Sequence, residues 1–127
     1  MADVVLDASA LLALLNAEPG SEEVERTIPG AAISTVNLSE VVAKLAEAAM
    51  PGDAVRAVLG GIELEVHPFD IEAAYRAGML RVQTRALGLS FGDRACVALG
   101  LQLGAPVLTT DRDWKSLDVG VVVRAIR

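Results

Sequence analysis

Apolar positions along this chain follow two alternating rhythms. Short β-prone runs, Val4-Val5-Leu6, Ala31-Ala32-Ile33-Ser34 and Val107-Leu108-Thr109, are separated by stretches where apolar residues recur every three or four positions. The short runs predict buried parallel strands, and the recurring spacing predicts helices. Ser9 to Leu15 is expected to form a short apolar helix that stops near Pro19-Gly20. Ser21-Glu22-Glu23 opens another, with acids in its first turn as the helix dipole favours. Leu38, Val41, Val42, Leu45 and Ala49 mark a helix ending at Pro51-Gly52, and Asp53 to Leu59 mark the next, closed by Gly60-Gly61. Ile62, Leu64 and Val66 alternate with Glu63, Glu65 and His67, which predicts a strand with one wet face near a sheet edge. Asp70 is placed to cap a long helix over Ile71 to Leu87, ended by Gly88. Phe91 to Leu103 forms another helix, and Val119 to Val123 the last expected strand. This alternation predicts an α/β fold with a mainly parallel sheet of four to five strands and helices on both faces.

The chain has 127 residues and no linker, repeat or low-complexity tract, so a single domain over 1–127 is expected. That length supports a core without disulfides. With 3% aromatics, the core must be built from Leu, Val, Ile and Ala. The 53% hydrophobic content points to some apolar surface being covered by partners. Cys96 is the only cysteine, Asp3 and Asp7 lie where a secretory signal would be basic, and the apolar run Leu11 to Leu15 is too short for a bilayer. A soluble cytoplasmic protein with no membrane role is the expectation. The net charge of −6 argues against nucleic acid, because phosphate binding normally wants Lys and Arg. That objection weakens if several acids serve to hold cations, which reverse the local sign.

Four acids stand where an α/β sheet presents its ligands. Asp7 and Asp111 each follow an apolar strand run, and ligands bind outside the carboxyl ends of such strands. Glu40 and Asp93 stand at the starts of helices. Each also has a structural reading. Asn37 with Glu40, and Ser90 with Asp93, are three apart and suit a capping box, while Asp7 and Asp111 can cap strand-to-helix turns. Capping needs only one short polar side chain per helix, however, and burying several carboxylates together is costly without a cation. The set suits Mg²⁺ or Mn²⁺, which take oxygen ligands; no matching His and Cys set suits zinc.

Four stretches then resemble one family in order and spacing. They are Val4-Val5-Leu6-Asp7-Ala8-Ser9-Ala10 through Leu15, Ile33-Ser34-Thr35-Val36-Asn37-Leu38-Ser39-Glu40-Val41, Leu89-Ser90-Phe91-Gly92-Asp93-Arg94-Ala95-Cys96, and Val107-Leu108-Thr109-Thr110-Asp111-Arg112-Asp113-Trp114. Together they resemble a PIN-domain ribonuclease, and within that family a VapC-type toxin of a toxin–antitoxin pair. The resemblance implies a single PIN domain of three layers. It implies Asp7, Glu40, Asp93 and Asp111 as the catalytic and metal-binding quartet, with Asp113 the alternative fourth acid. It implies one or two Mg²⁺ or Mn²⁺ ions, endonuclease action on RNA by metal-activated water with transfer RNA a plausible target, a homodimer, and inhibition by a small cognate antitoxin.

Around these, Ser9 and Thr110 can orient ligands from behind or serve only in turns. Arg94 and Arg112 can contact substrate phosphate or balance charge on a solvated face. Arg76, Arg81 and Arg85 on the long helix read as a solvated face. Trp114 and Cys96 read as core residues, and catalysis by His67, which precedes Pro68, is not expected. Gly100 and Gly104 read as close helix packing or a helix end. Two other classes compete. A catalytically silent PIN-like scaffold that binds protein would have lost an acid, and none is lost. An Asp-dependent phosphoryl-transfer domain, receiver or haloacid-dehalogenase-like, shares the aspartate after the first strand. The hydrolase pattern wants an acid at position 9, which is Ser, and the receiver pattern an acidic pair before the strand, where only Asp3 stands.

Overall fold

Val4, Val5 and Leu6 are all buried, which a strand requires when helices cover both its faces. In the computed structural model, which describes residues 2–127, this segment is the central strand of the molecule. The elements are β1 (Val5–Leu6), α1 (Ala8–Leu15), α2 (Ser21–Glu25), β2 (Ala32–Ser34), α3 (Thr35–Glu47), α4 (Gly52–Gly60), β3 (Glu65–His67), α5 (Ile71–Thr84), α6 (Phe91–Leu103), β4 (Val107–Thr109) and β5 (Val123–Ala125). The five strands are parallel, in the order β3-β2-β1-β4-β5. The chain therefore builds outward from β1 to β3, then crosses back to lay β4 and β5 on the other side. The crevice between the carboxyl ends of β1 and β4 is the topological switch point, where ligands bind in open α/β sheets.

Alternation along the strands splits the core in two. Val5, Ala32 and Val107 face one side, with Leu80 of α5, Val97 of α6, and Trp114. Leu6, Ile33 and Leu108 face the other, with Leu11, Val24, Val41 and Val55 from α1 to α4. Strands and helices on both faces, an α/β three-layer arrangement, are as the sequence predicts. Among the described residues no helix is long and apolar enough to cross a membrane.

Several boundaries differ from expectation, each for a local reason. The third strand begins at Glu65 rather than Ile62, because the Leu64 N–H turns back to the Ile62 carbonyl and delays the ladder. Val66 consequently faces outward and is exposed. The last strand is Val123–Ala125 rather than Val119–Val123: Gly120 has positive φ, and the chain bends there before pairing with β4. The helix carrying Asn37 starts earlier than expected. Ser34 is its cap, accepting from the Val36 N–H, so Asn37 lies inside the first turns and is free for another task. The long helix ends at Thr84 and tightens into a 3-10 turn over Arg85–Leu87 before Gly88.

Gly100 sets the distance between α6 and the sheet. A Cβ there would come within 2.7 Å of Val107 Cγ2 and 2.9 Å of Val121 Cγ2. Gly104, four residues on, ends the helix in the left-handed region. We predict that Gly100→Val lowers stability by about 1–3 kcal/mol through overpacking, read by urea denaturation. Unchanged stability would show that the helix–sheet spacing is not set at this residue.

Candidate functional site

The site begins with the register of two strands. Leu6 of β1 pairs with Leu108 of β4, and the Asp7 N–H donates to the Leu108 carbonyl at 3.0 Å. Asp7 and Thr109 are therefore neighbours at the carboxyl end of the sheet. Asp7 occupies the cap position of α1, yet its side chain makes no capping bond. Instead Oδ2 accepts from Ser9 Oγ at 2.7 Å and from Thr109 Oγ1 at 2.9 Å. The residue is 6% exposed. Burial pushes its carboxyl up from 3.8 to about 6; the charges of Asp93 and Glu40 push the same way, against the two hydroxyl bonds.

Two further acids thus lie within the field of Asp7, each brought by a helix. Glu40 projects from α3, and its Oε1 accepts from Asn37 Nδ2 at 2.8 Å. Asp93 sits in the first turn of α6 in the capping box expected from the sequence: Ser90 N–H donates to Asp93 Oδ2 at 2.9 Å, and Asp93 N–H to Ser90 Oγ at 3.2 Å. All three charges also act on Cys96, directly beneath on α6, whose burial first and these acids second push its thiol far up. That marks it as inert.

The three acids share one pattern. Each is held through one oxygen: Asp7 by Oδ2, Glu40 by Oε1 and Asp93 by Oδ2. Among the described residues no donor reaches the other oxygen of any of them. Three carboxylates in one field, each with an oxygen free of protein donors, are chemically suited to a hard divalent cation. They do not form a preformed cage. Among the described residues no group of three His, Cys, Asp or Glu side chains is close enough to hold a metal as placed. The electrostatic coupling and that spacing are compatible, because like charges repel and each carboxylate turns to its own donor.

The remaining candidates sit differently. Asp111 follows β4 and is exposed; its Oδ1 caps the 3-10 turn Arg112–Ser116 by accepting the Asp113 N–H at 2.9 Å. It does not figure among the charges acting on Asp7. Its link to the trio is indirect: its N–H donates to Thr109 Oγ1 at 3.1 Å. Asp113 is exposed on the same turn. Ser9 touches Asp7 directly and also accepts the Thr110 N–H at 3.0 Å, so Thr110 contributes its backbone. Arg94 donates to the Ala77 carbonyl of α5 at 2.8 Å and lies 6.0 Å from the Phe91 ring centre. Arg112 donates through Nε to the Arg127 carbonyl at 2.6 Å. Both arginines thus tie elements together. Trp114 is buried in the core.

Sequence reasoning missed two residues. Thr109, rather than Thr110, holds Asp7, and the parallel register of the two strand runs is the signal that points to it. Asn37 was read as a cap, and nothing in the sequence shows that it is fully buried against α6.

Comparison with known proteins bears on the fold and the family. A family model described as the PIN domain matches residues 4–120. No curated protein matches the chain significantly by sequence. Among solved structures, a DNA-bound VapBC from Salmonella typhimurium is similar over 100% of both chains, with a TM-score of 0.78 and 21% identity. A toxin–antitoxin complex from Klebsiella pneumoniae is similar over 94% of this chain and 95% of its own, with a TM-score of 0.75 and 20% identity. VapBC-5 from Mycobacterium tuberculosis is similar over 98% of both chains, with a TM-score of 0.61 and 27% identity.

The Asp7 carboxyl gives a pH prediction. The folded protein holds this proton more tightly than the unfolded chain, so its contribution to stability falls as pH rises from about 4 to about 6. Asp7→Asn removes that fall. In EDTA it should be more stable than the parent near pH 7.5 by about 2–3 kcal/mol, with the difference vanishing near pH 4. Parallel pH profiles in urea denaturation would contradict the burial argument.

Proposed function

The chain belongs to the PIN-domain family, and on that premise we propose that it is a Mg²⁺- or Mn²⁺-dependent endoribonuclease acting as the toxin of a toxin–antitoxin pair. The observation that carries this reading is the convergence of Asp7, Glu40 and Asp93 at the carboxyl end of the sheet, each with one oxygen anchored. Asp7, Glu40 and Asp93 would hold the cation, with Asp111 or Asp113 completing the set from the rim. When bound, a divalent cation supplies Lewis acidity toward a phosphodiester and toward water.

The protein's own groups do the rest. Ser9 and Thr109 fix Asp7 through Oδ2 and leave Oδ1 without a protein donor. Asp7 must give up its proton to serve as a ligand, so cation affinity weakens as pH falls through about 6. The Ser90 N–H plays the same anchoring part for Asp93. Three carboxylates would repel the phosphate backbone, so substrate is bound only in company with a cation, which reconciles the charge of −6 with an RNA substrate.

Two apolar surfaces support the partners. An open groove of about 670 Å³ runs between α3, α4 and the β3 edge, lined by Leu38, Val42, Met50, Leu59, Leu64 and Val66 among others. None of the acids lines it, and its shape suits the apolar face of an antitoxin helix; the similar structures include VapBC and other toxin–antitoxin complexes. On α5, Ile71, Tyr75, Met79 and Val82 stand 68–79% exposed along one side. A stripe of that kind on a small domain calls for cover, and we assign it to a second copy of the chain.

Purified protein should cut structured RNA with Mg²⁺ or Mn²⁺ and stop in EDTA. Asp7→Asn and Asp93→Asn should each lose more than the roughly 100-fold that removing a residue behind a metal ligand can cost. Undiminished cutting by both folded variants would remove the mechanism, and absence of any cutting by the parent would favour a silent scaffold. Met79→Glu should turn a dimer into a monomer by analytical ultracentrifugation; a dimer that survives Met79→Glu together with Tyr75→Arg places the interface elsewhere.

A further inference from the structure

Asn37 spends its side chain on two acceptors from different elements. Nδ2 donates to Glu40 Oε1 at 2.8 Å on its own helix and to the Gly92 carbonyl at 2.9 Å on α6. The amide is completely buried, and its Oδ1 has no partner. Both neighbours of Nδ2 are acceptors, which fixes the amide orientation, since the reverse would set oxygen against oxygen. A buried carbonyl without a donor destabilises the fold. An apolar residue would pack there without that penalty, so the position is not explained by packing.

Gly92 carries the second half of the observation. It lies in the first turn of α6 with no positive φ, so its backbone does not require glycine. Alanine would favour the helix more. A Cβ on Gly92, however, would come within 2.6 Å of Glu40 Cδ and Oε1, and closer still to Oε2. The space that glycine leaves is filled by the Glu40 carboxylate.

We propose that Asn37 and Gly92 form a latch across α3 and α6 that fixes the Glu40 carboxylate beside Asp7 and Asp93, with Asn37 a positioning residue for cation binding. The latch anchors Oε1 and leaves Oε2, packed beside Gly92, without a protein donor, as Ser9 with Thr109 and Ser90 leave one oxygen of each other acid. Without it, Glu40 is a flexible side chain on an exposed stretch of helix, and like charges would drive it outward. This inference rests on the reading of the acids as a cation site.

The test uses the full chain with Mn²⁺ as the probe, followed by electron paramagnetic resonance of the free ion. Asn37→Ala should weaken Mn²⁺ binding by about tenfold or more. Gly92→Ala should weaken it comparably while the thermal midpoint does not fall, an outcome that a purely structural role would not give. Asn37→Ala combined with Glu40→Gln should bind no more weakly than Glu40→Gln alone. Additive losses, or a Gly92→Ala protein that binds Mn²⁺ like the parent, would overturn the latch. If the parent binds no Mn²⁺, the cation reading fails, and the latch is judged separately by NMR without metal. Asn37 side-chain amide protons that exchange slowly and shift in Glu40→Gln uphold it; fast exchange and indifference to that change refute it.

Discussion

At its centre the fold holds one carboxylate out of water, against its own stability, and the site is built around that carboxylate. Asp7 follows the middle strand of a sheet covered on both faces, and only 6% of the residue is exposed. Its ionisation is opposed by burial and only partly relieved by Ser9 and Thr109. A protein selected for stability alone would place an apolar residue or an asparagine here. The cost falls at the switch point of the sheet, where ligands bind in an open α/β fold.

The rest of the site follows from bringing two helix starts to that strand end. α3 and α6 pack against each other, one delivering Glu40 and the other Asp93. Each acid meets a donor from its own neighbourhood: hydroxyls for Asp7, an amide for Glu40, a backbone N–H for Asp93. Anchoring one oxygen limits the side-chain freedom that a ligand would otherwise have to freeze, which is the usual route to preorganisation.

Much of this was legible in the sequence. The strand runs Val4 to Leu6 and Val107 to Thr109 fixed the sheet centre, and Ser90 with Asp93 is the capping box their spacing predicts. What the sequence hid depends on register and depth. Choosing Thr109 over Thr110 requires knowing which residue pairs beyond Leu6, and Asn37 required knowing that Ser34 already caps α3. The ends of β3 and β5 were missed because backbone bends at Leu64 and Gly120, rather than side-chain patterning, decide them. Arg94 and Arg112 sit beside acids in sequence, yet both reach backbone carbonyls of distant segments, a choice that only tertiary packing makes. Asp111 stands at the expected strand end, but the short turn after it claims its carboxylate as a cap.

The central claim is that Asp7, Glu40 and Asp93 meet to hold a divalent cation. Anomalous diffraction at the manganese edge, from crystals of the full chain saturated with Mn²⁺, tests it most directly. The account predicts a peak bounded by those three side chains at the carboxyl ends of β1 and β4. A saturated crystal with no peak there, or with manganese bound only at other acids, would contradict it.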